Sequence, residues 1–222
     1  MYDIIETKER VLADNDAAAE KTRSYMKQNR IFFVNLMGSP GAGKTSVLIQ
    51  TIRRLKNKYR IGVMEADVDS DVDAAAISAE GIRVIQLHSG GLCHMDADMV
   101  ARGLEAFGPD GLDLIFLENI GNLVCPAEFD VGSSARVMIL SVPEGDDKPL
   151  KYPLMFSVSD CCLVNKIDAK EVFDFDDEAF SAAARMRNPD IDILPLSALT
   201  GEGFDTWIGW LENRMDEWKA QA

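Results

Sequence analysis

The chain has little histidine, little cysteine and no long apolar run. Its 222 residues include two histidines, and its four cysteines all fall at or after Cys93. Four cysteines in a chain of this size do not make a disulfide framework, so reduced thiols and a cytoplasmic setting are expected. No apolar stretch approaches the roughly 18 residues of a membrane span. The opening Met1-Tyr2-Asp3-Ile4-Ile5-Glu6 lacks the basic and apolar regions of a secretory leader, so none is expected. Cations are outnumbered, 23 Lys and Arg against 37 Asp and Glu, for a net charge of −14. That balance repels phosphate backbones and anionic lipid, so neither nucleic acid nor a membrane is expected as a partner. Any anion site must therefore concentrate positive potential locally. Internal repeats and low-complexity linkers are also missing. What remains, 47% hydrophobic and 27% charged residues, is ordinary for a globular protein with one sizeable core.

One stretch organises the rest. Gly38-Ser39-Pro40-Gly41-Ala42-Gly43-Lys44-Thr45 reads G-x-x-x-x-G-K-T, the phosphate-binding P-loop. Before it lies Ile31-Phe32-Phe33-Val34-Asn35-Leu36-Met37, dense in β-branched and aromatic residues as a buried parallel strand is. After Ser46, Val47, Ile52 and Leu55 recur at helical spacing. Glycines let successive backbone N–H groups curl around an anion. The helix end adds partial positive charge, Lys44 adds a full one near the β/γ-phosphates, and the Thr45 hydroxyl suits Mg²⁺. A nucleoside triphosphate site is expected.

Residues 1–30 read as a polar helical extension, with Asn15 or Asp16 as its cap, packed on the main domain or on another subunit. Residues 31–222 then alternate strands with helices. Further strands are expected at 60–66, 82–87, 112–117, 136–142, 161–165 and 191–196, with helices starting at Ala74 and covering 95–107. The implied fold is α/β: a three-layer, doubly wound, mostly parallel sheet of about seven strands. Ligands in such folds sit at the carboxyl ends of the strands. The P-loop, Asp67, Cys93-His94, Glu118 and Asn165 all fall there, on one rim.

Asn165-Lys166-Ile167-Asp168 reads N-K-x-D after an apolar strand. The Asp168 carboxylate can accept from both N1–H and N2–H₂ of guanine, a pairing adenine cannot offer. The Lys166 stem can lie over the base while Asn165 ties this loop to the P-loop. Ser197-Ala198-Leu199-Thr200 matches the loop whose backbone N–H meets guanine O6 in GTPases. GTP and GDP are the expected nucleotides.

Glu118-Asn119-Ile120-Gly121 occupies the place of the segment that senses the γ-phosphate. Gly121 can bring its N–H close because no side chain blocks it. Glu118 can hold Mg²⁺ through water or orient the attacking water. Among the acids of Asp67-Val68-Asp69-Ser70-Asp71-Val72-Asp73, Asp67 is the first choice for Mg²⁺. Asp69, Asp71 and Asp73 read as solvated, with a weak metal-attracting patch as the alternative.

Cys93, His94 and Cys125 are soft and borderline donors suited to Ni²⁺ or Zn²⁺. Cys161 and Cys162 lie within a core strand and read as small apolar residues. Adjacent Cys93 and His94 do not chelate one ion as readily as an i, i+4 helix pair, but they could bridge ions shared with a second chain.

Three runs then carry a resemblance: Gly91-Leu92-Cys93-His94-Met95-Asp96-Ala97, the Glu118–Pro126 stretch, and the segment from Glu144 to Pro153 with its Gly145-Asp146-Asp147-Lys148-Pro149. Over about residues 31–210 the chain resembles the HypB family of hydrogenase nickel incorporation GTPases. The resemblance implies a SIMIBI-class P-loop GTPase that dimerises with GTP and delivers nickel to the nickel–iron hydrogenase large subunit, working with the accessory protein HypA. It implies a metal site of Cys93, His94 and Cys125 at or near the dimer interface. The family's N-terminal cysteine motif and histidine-rich stretch are not in this sequence, so a second tight nickel site and a storage role are not expected. Two other readings stay open at this point. One is a low-turnover GTP-binding switch or scaffold with a structural zinc; the other is a maturation GTPase for another nickel enzyme such as urease.

Overall fold

The computed structural model describes residues 7–221, so the reading of residues 1–6 lies outside it. In chain order the elements are α1 (Thr7–Gln28), β1 (Phe32–Gly38), α2 (Lys44–Leu55), β2 (Ile61–Asp67), α3 (Val72–Ser78), β3 (Arg83–His88), α4 (Ala97–Phe107) and β4 (Leu114–Glu118). They continue with α5 (Cys125–Glu128), β5 (Ala135–Ser141), α6 (Lys148–Lys151), α7 (Pro153–Val158), β6 (Cys161–Asn165), α8 (Asp177–Arg185), β7 (Asp192–Pro195) and α9 (Phe204–Ala220). The seven strands form one sheet in the order β3-β2-β4-β1-β5-β6-β7, and every pairing is parallel.

Alternation along each strand feeds two apolar layers. Phe32, Val34 and Leu36 pack with α2 and α9, through Leu48, Ile52, Trp207 and Leu211. Phe33 turns the other way, toward Met26 of α1 and Val100 and Leu104 of α4. Met138, Leu140 and Cys162 meet α7 and α8 through Phe156 and Phe180 on that same side. Helices thus cover both faces, the three-layer doubly wound arrangement expected from the strand–helix alternation.

The N-terminal helix differs from expectation. Asn15 and Asp16 lie inside α1 and so do not cap it. Asn15 is instead buried, donating to Asp130 O at 2.9 Å and accepting from Ala97 N at 2.9 Å. A buried apolar side chain contributes about 1.5–3 kcal/mol, and α1 supplies few of them, chiefly Ala19 and Met26. Polar contacts therefore fix its register: Arg23 pairs with Asp130 at 2.6 Å, and Asp130 also pairs with Arg136 of β5 at 2.8 Å. Two other boundaries move for local reasons. Helix α4 starts at Ala97 because the Asp96 carboxylate accepts from Met99 N and caps it. Helix α3 starts at Val72, which draws Asp73 into its first turn.

Candidate functional site

The P-loop crosses from Gly38 at the end of β1 to Lys44 at the start of α2. Gly43 sits at φ 95° immediately before the helix, and a Cβ there would run into the Asn165 side chain. Glycine is therefore needed twice, for the left-handed backbone and for the close approach. Asn165, the last residue of β6, donates to Ala42 O at 2.9 Å and accepts from Ala198 N at 3.1 Å. It ties its own loop to the P-loop, as expected, and also reaches the 197–200 loop, where it occupies the Ala198 N–H. Lys166 donates to Gly41 O at 2.7 Å. Asp168 is exposed, and its carboxylate accepts from the Ser197 hydroxyl. Ser197 is buried, whereas Leu199 is 82% exposed.

Lys44 is buried beneath the loop, its Nζ 3.3 Å from Ser39 O and 3.5 Å from Gly38 O. Burial lowers its pKa, opposed by Glu118, Asp73, Glu144 and Glu65. Ser39 donates to Glu144 Oε1, and Glu144 Oε2 accepts from Ser141 N at 2.7 Å. This brace was not anticipated, although Glu144 stands in one of the family-like runs.

A cleft of about 620 Å³ opens above these groups. Pro40, Gly41, Gly43, Lys44, Thr45, Ser46 and Lys166 form one wall, and Asp67, Val68, Asp73, Glu118, Ile120 and Gly121 the other. Thr45 Oγ1 donates to Glu118 Oε1 at 2.7 Å, while Glu118 Oε2 is buried with no hydrogen-bond partner. Burial, with Asp73 and Asp67 close by, pushes the Glu118 carboxyl up to about 7 against the pull of Thr45 and Lys44. Asp67 accepts from Ser70 N at 2.8 Å and Asp69 N at 3.0 Å, which hold its carboxyl below the usual range. Asp69, Asp71 and Asp73 are exposed, as expected, but Asp73 also faces the cleft. Glu65 escaped the sequence reading. It is buried in β2 opposite Glu118, has an unpartnered Oε2, and burial drives its carboxyl up to about 7. A partnerless buried carboxylate oxygen beside the P-loop threonine is the environment a hard cation suits, so Thr45, Asp67 and Glu118 fit Mg²⁺.

The segment leaving β4 is pinned to the end of β1. Asn119 N donates to Leu36 O at 2.9 Å, and Asn122 N to Gly38 O at 3.0 Å. Asn119 Nδ2 also reaches Asn35 Oδ1 at 3.1 Å. A Cβ at Gly121 would stand 2.9 Å from Pro40, so only glycine lets this segment lie against the P-loop.

Beyond it, Cys125 at the start of α5 faces the loop after β3. Cys93 Sγ lies 2.9 Å from Cys125 Sγ and 3.9 Å from His94 Nδ1. The donor atoms of all three residues lie within 4.8 Å of one another. Metal–sulfur bonds near 2.3 Å and metal–nitrogen bonds near 2.1 Å would put tetrahedral donors roughly 3.6–3.8 Å apart, so the sulfur–nitrogen separation fits one ion and the two sulfurs would open to share it. Adjacent as they are, Cys93 and His94 turn their donor atoms into the same space as Cys125 Sγ. The two side chains converge because the imidazole is stacked on Phe129, centroids 4.0 Å apart and 18° from parallel. Burial lowers the His94 pKa despite Asp96 and Glu128, favouring the neutral ligand form. The hydrogen bond from Cys93, with burial, raises the Cys125 thiol. Cys161 and Cys162 are buried in β6, where burial keeps both thiols protonated, in line with their reading as core residues.

Comparisons with known proteins agree with this layout. A sequence model of the nucleotide-binding domain of the CobW/HypB/UreG family matches residues 32–195. The hydrogenase maturation factor HypB of Azotobacter chroococcum mcd 1 is 44% identical over 229 residues, covering 99% of this chain and 74% of that protein. The crystal structure of HypB from Archaeoglobus fulgidus superposes with a TM-score of 0.85 at 38% identity, covering 92% of this chain and 100% of that one. The structure of HypB from Helicobacter pylori in complex with nickel also gives 0.85, at 30% identity, over 92% of this chain and 96% of that one. The chain belongs to the CobW/HypB/UreG family of nucleotide-binding proteins and, within it, to the HypB hydrogenase maturation factors.

Proposed function

We propose that the chain is a GTP-hydrolysing metallochaperone that binds nickel or zinc at Cys93, His94 and Cys125. It delivers nickel during maturation of a nickel–iron hydrogenase, with metal affinity set by the nucleotide. One observation carries this reading: a single short segment serves both sites. Glu118 and Gly121 line the nucleotide cleft, and Cys125, four residues further on, is one of the three converging donors.

In this reading Gly38, Ser39, Gly41, Ala42, Gly43, Lys44, Thr45 and Ser46 hold the phosphates, with the Lys44 ammonium neutralising charge between β- and γ-phosphates. Asn165, Lys166, Asp168, Ser197, Ala198 and Leu199 frame guanine, and Asp168 rejects adenine by leaving its own acceptors unpaired. Glu118 orients the attacking water, and the Gly121 N–H meets the γ-phosphate. Mg²⁺, when bound at Thr45 and Asp67 with Glu118 acting through water, supplies further charge neutralisation.

The partners in this reading are a second copy of the chain, the nickel-binding accessory protein HypA and the hydrogenase large subunit, in a cytoplasmic setting. No helix among the described residues is long and apolar enough to cross a membrane. The division into an extension, 1–30, and a nucleotide domain, 31–222, is kept, with α1 as a strut fixed by Asn15 and Arg23.

Calorimetric titration of Ni²⁺ into the GDP form and the non-hydrolysable GTP form, with a GTPase assay with and without nickel, tests the proposal. Different affinities and measurable turnover are expected. Equal affinities would remove nucleotide gating. A slow switch carrying a structural zinc is the second reading, favoured by the cleft lining, whose only cations among the described residues are Lys44 and Lys166. P-loop enzymes without a supplied arginine hydrolyse slowly. Tight zinc retained in both nucleotide forms, with no nickel response, would select it.

A further inference from the structure

Asn122 touches both ends of the molecule's chemistry. Its backbone N–H donates to Gly38 O at 3.0 Å, making an isolated antiparallel bridge with the first residue of the P-loop. That carbonyl is also one of the two facing the Lys44 ammonium. The Asn122 side chain points away from the cleft, toward the metal donors. Its Nδ2 lies 3.4 Å from the carbonyl oxygen of Cys93, and its Oδ1 accepts from Val124 N at 2.8 Å. One residue therefore holds the start of the P-loop, the backbone of one thiol residue and the turn leading to the other.

From this geometry we propose that Asn122 is the positioning residue that transmits nucleotide state to the metal site. The inference rests on the nucleotide-gated reading above and names the link within it. Gly121 is packed against Pro40, so it cannot follow a γ-phosphate without carrying its neighbour Asn122. Because the Asn122 amide grips Cys93 and the Cys125 turn together, any displacement changes the separation of the two sulfurs. A primary amide suits this task because it donates and accepts at once. A carboxylate would keep the bond to Val124 N but lose the one to Cys93 O, and alanine would lose both.

The test measures Ni²⁺ affinity by calorimetry in GDP and non-hydrolysable GTP forms of the wild type, Asn122→Ala and Asn122→Asp. The sulfur-to-nickel charge-transfer absorption is recorded in each form. In the wild type the two affinities should differ by about 5- to 150-fold, the usual range of allosteric coupling, with a nucleotide-dependent shift of the absorption band. Both variants should still bind one nickel and bind GTP, yet their two affinities should agree within about twofold and the band should stop responding. Taking the ratio within each variant cancels any uniform effect of the new charge in Asn122→Asp, and a mere turn-capping role would leave that variant coupled. Retention of the wild-type ratio by either variant overturns the proposal. Loss of nickel binding in both also overturns it, since Asn122 would then belong to the metal site itself. A wild-type ratio of one instead sinks the gating reading, before any variant is considered.

Discussion

Glu65 stands directly opposite Glu118 in the parallel pairing of β2 with β4, and both carboxyl groups are buried. Each has one oxygen without a hydrogen-bond partner. Burial is the main cause that lifts both from about 4.5 to about 7, and Asp67 and Asp73 lift them further. A carboxyl raised on folding stays protonated in the folded state while the unfolded chain ionises. Stability therefore falls as pH climbs from about 4.5 to about 7 and levels off above, provided nucleotide and Mg²⁺ are withheld. Glu65→Gln should flatten part of that slope and add about 1–3 kcal/mol at pH 8. Thermal melts from pH 5 to pH 8 check this. A lower Tm than wild type at pH 8 would refute the account of an unpaired buried carboxylate.

Guanine selection should reside in Asp168. Asp168→Asn keeps an oxygen to accept the Ser197 hydroxyl but replaces an acceptor for guanine with a donor. GTP affinity should fall by roughly 10⁴–10⁵, and affinity for xanthosine nucleotides, whose 2-oxo group accepts from an amide, should rise. Fluorescence titrations with GTP, ATP and XTP provide the measurement. Equal wild-type binding of ATP and GTP would show that the motif does not read the base.

The metal donors make a sharper contrast among the four cysteines. Cys93→Ala, His94→Ala and Cys125→Ala should each lower Ni²⁺ or Zn²⁺ affinity, while Cys161→Ala and Cys162→Ala leave it unchanged and cost only packing. Because the Cys125 thiol is raised, protons compete with metal near neutrality, so affinity should climb with pH. The lowered His94 pKa keeps the imidazole neutral and removes it as the limiting titration. Metal analysis after gel filtration at several pH values decides the matter; unchanged stoichiometry in all three ligand variants would reject the site.

Helix α1 should depend on Asp130. Burial raises its pKa, but Arg136, the Gly132 N–H and Arg23 outweigh that and hold it low. A depressed carboxylate contributes stability above its unfolded pKa and loses it as pH falls through the folded value. Asp130→Asn leaves Arg23 and Arg136 without their shared anion and should cost about 1–3 kcal/mol at pH 7. The deficit against wild type should shrink as pH falls below the ordinary carboxylate range toward the depressed folded-state value of Asp130. Denaturant melts at pH 7 and pH 3 test it, and an equal deficit at both would mean that packing, not charge, holds the helix.

What the sequence settled was local in origin. The P-loop is legible because glycine conformations and a helix start are set by neighbouring residues, and Gly43 at φ 95° is such a case. Strand and helix order followed from periods of two and 3.6. Asn165 and Asp168 were readable because their spacing lies within one turn. At α4 the boundary slipped because the Asp96 side chain caps the helix. Tertiary structure decided what lies side by side. Strand order brings β2 against β4, and so Glu65 against Glu118, across 53 residues of chain that carry no pattern linking them. Asn15 looks like a helix cap in one dimension; packing of α1 against α4 and β1 made it a buried bridge to Asp130 and Ala97. Cys93 and His94 converge with Cys125 where Phe129, from a segment 35 residues away, stacks on the imidazole. In each case the deciding energy belongs to a contact distant in sequence, and that contact exists only once the sheet has ordered its strands.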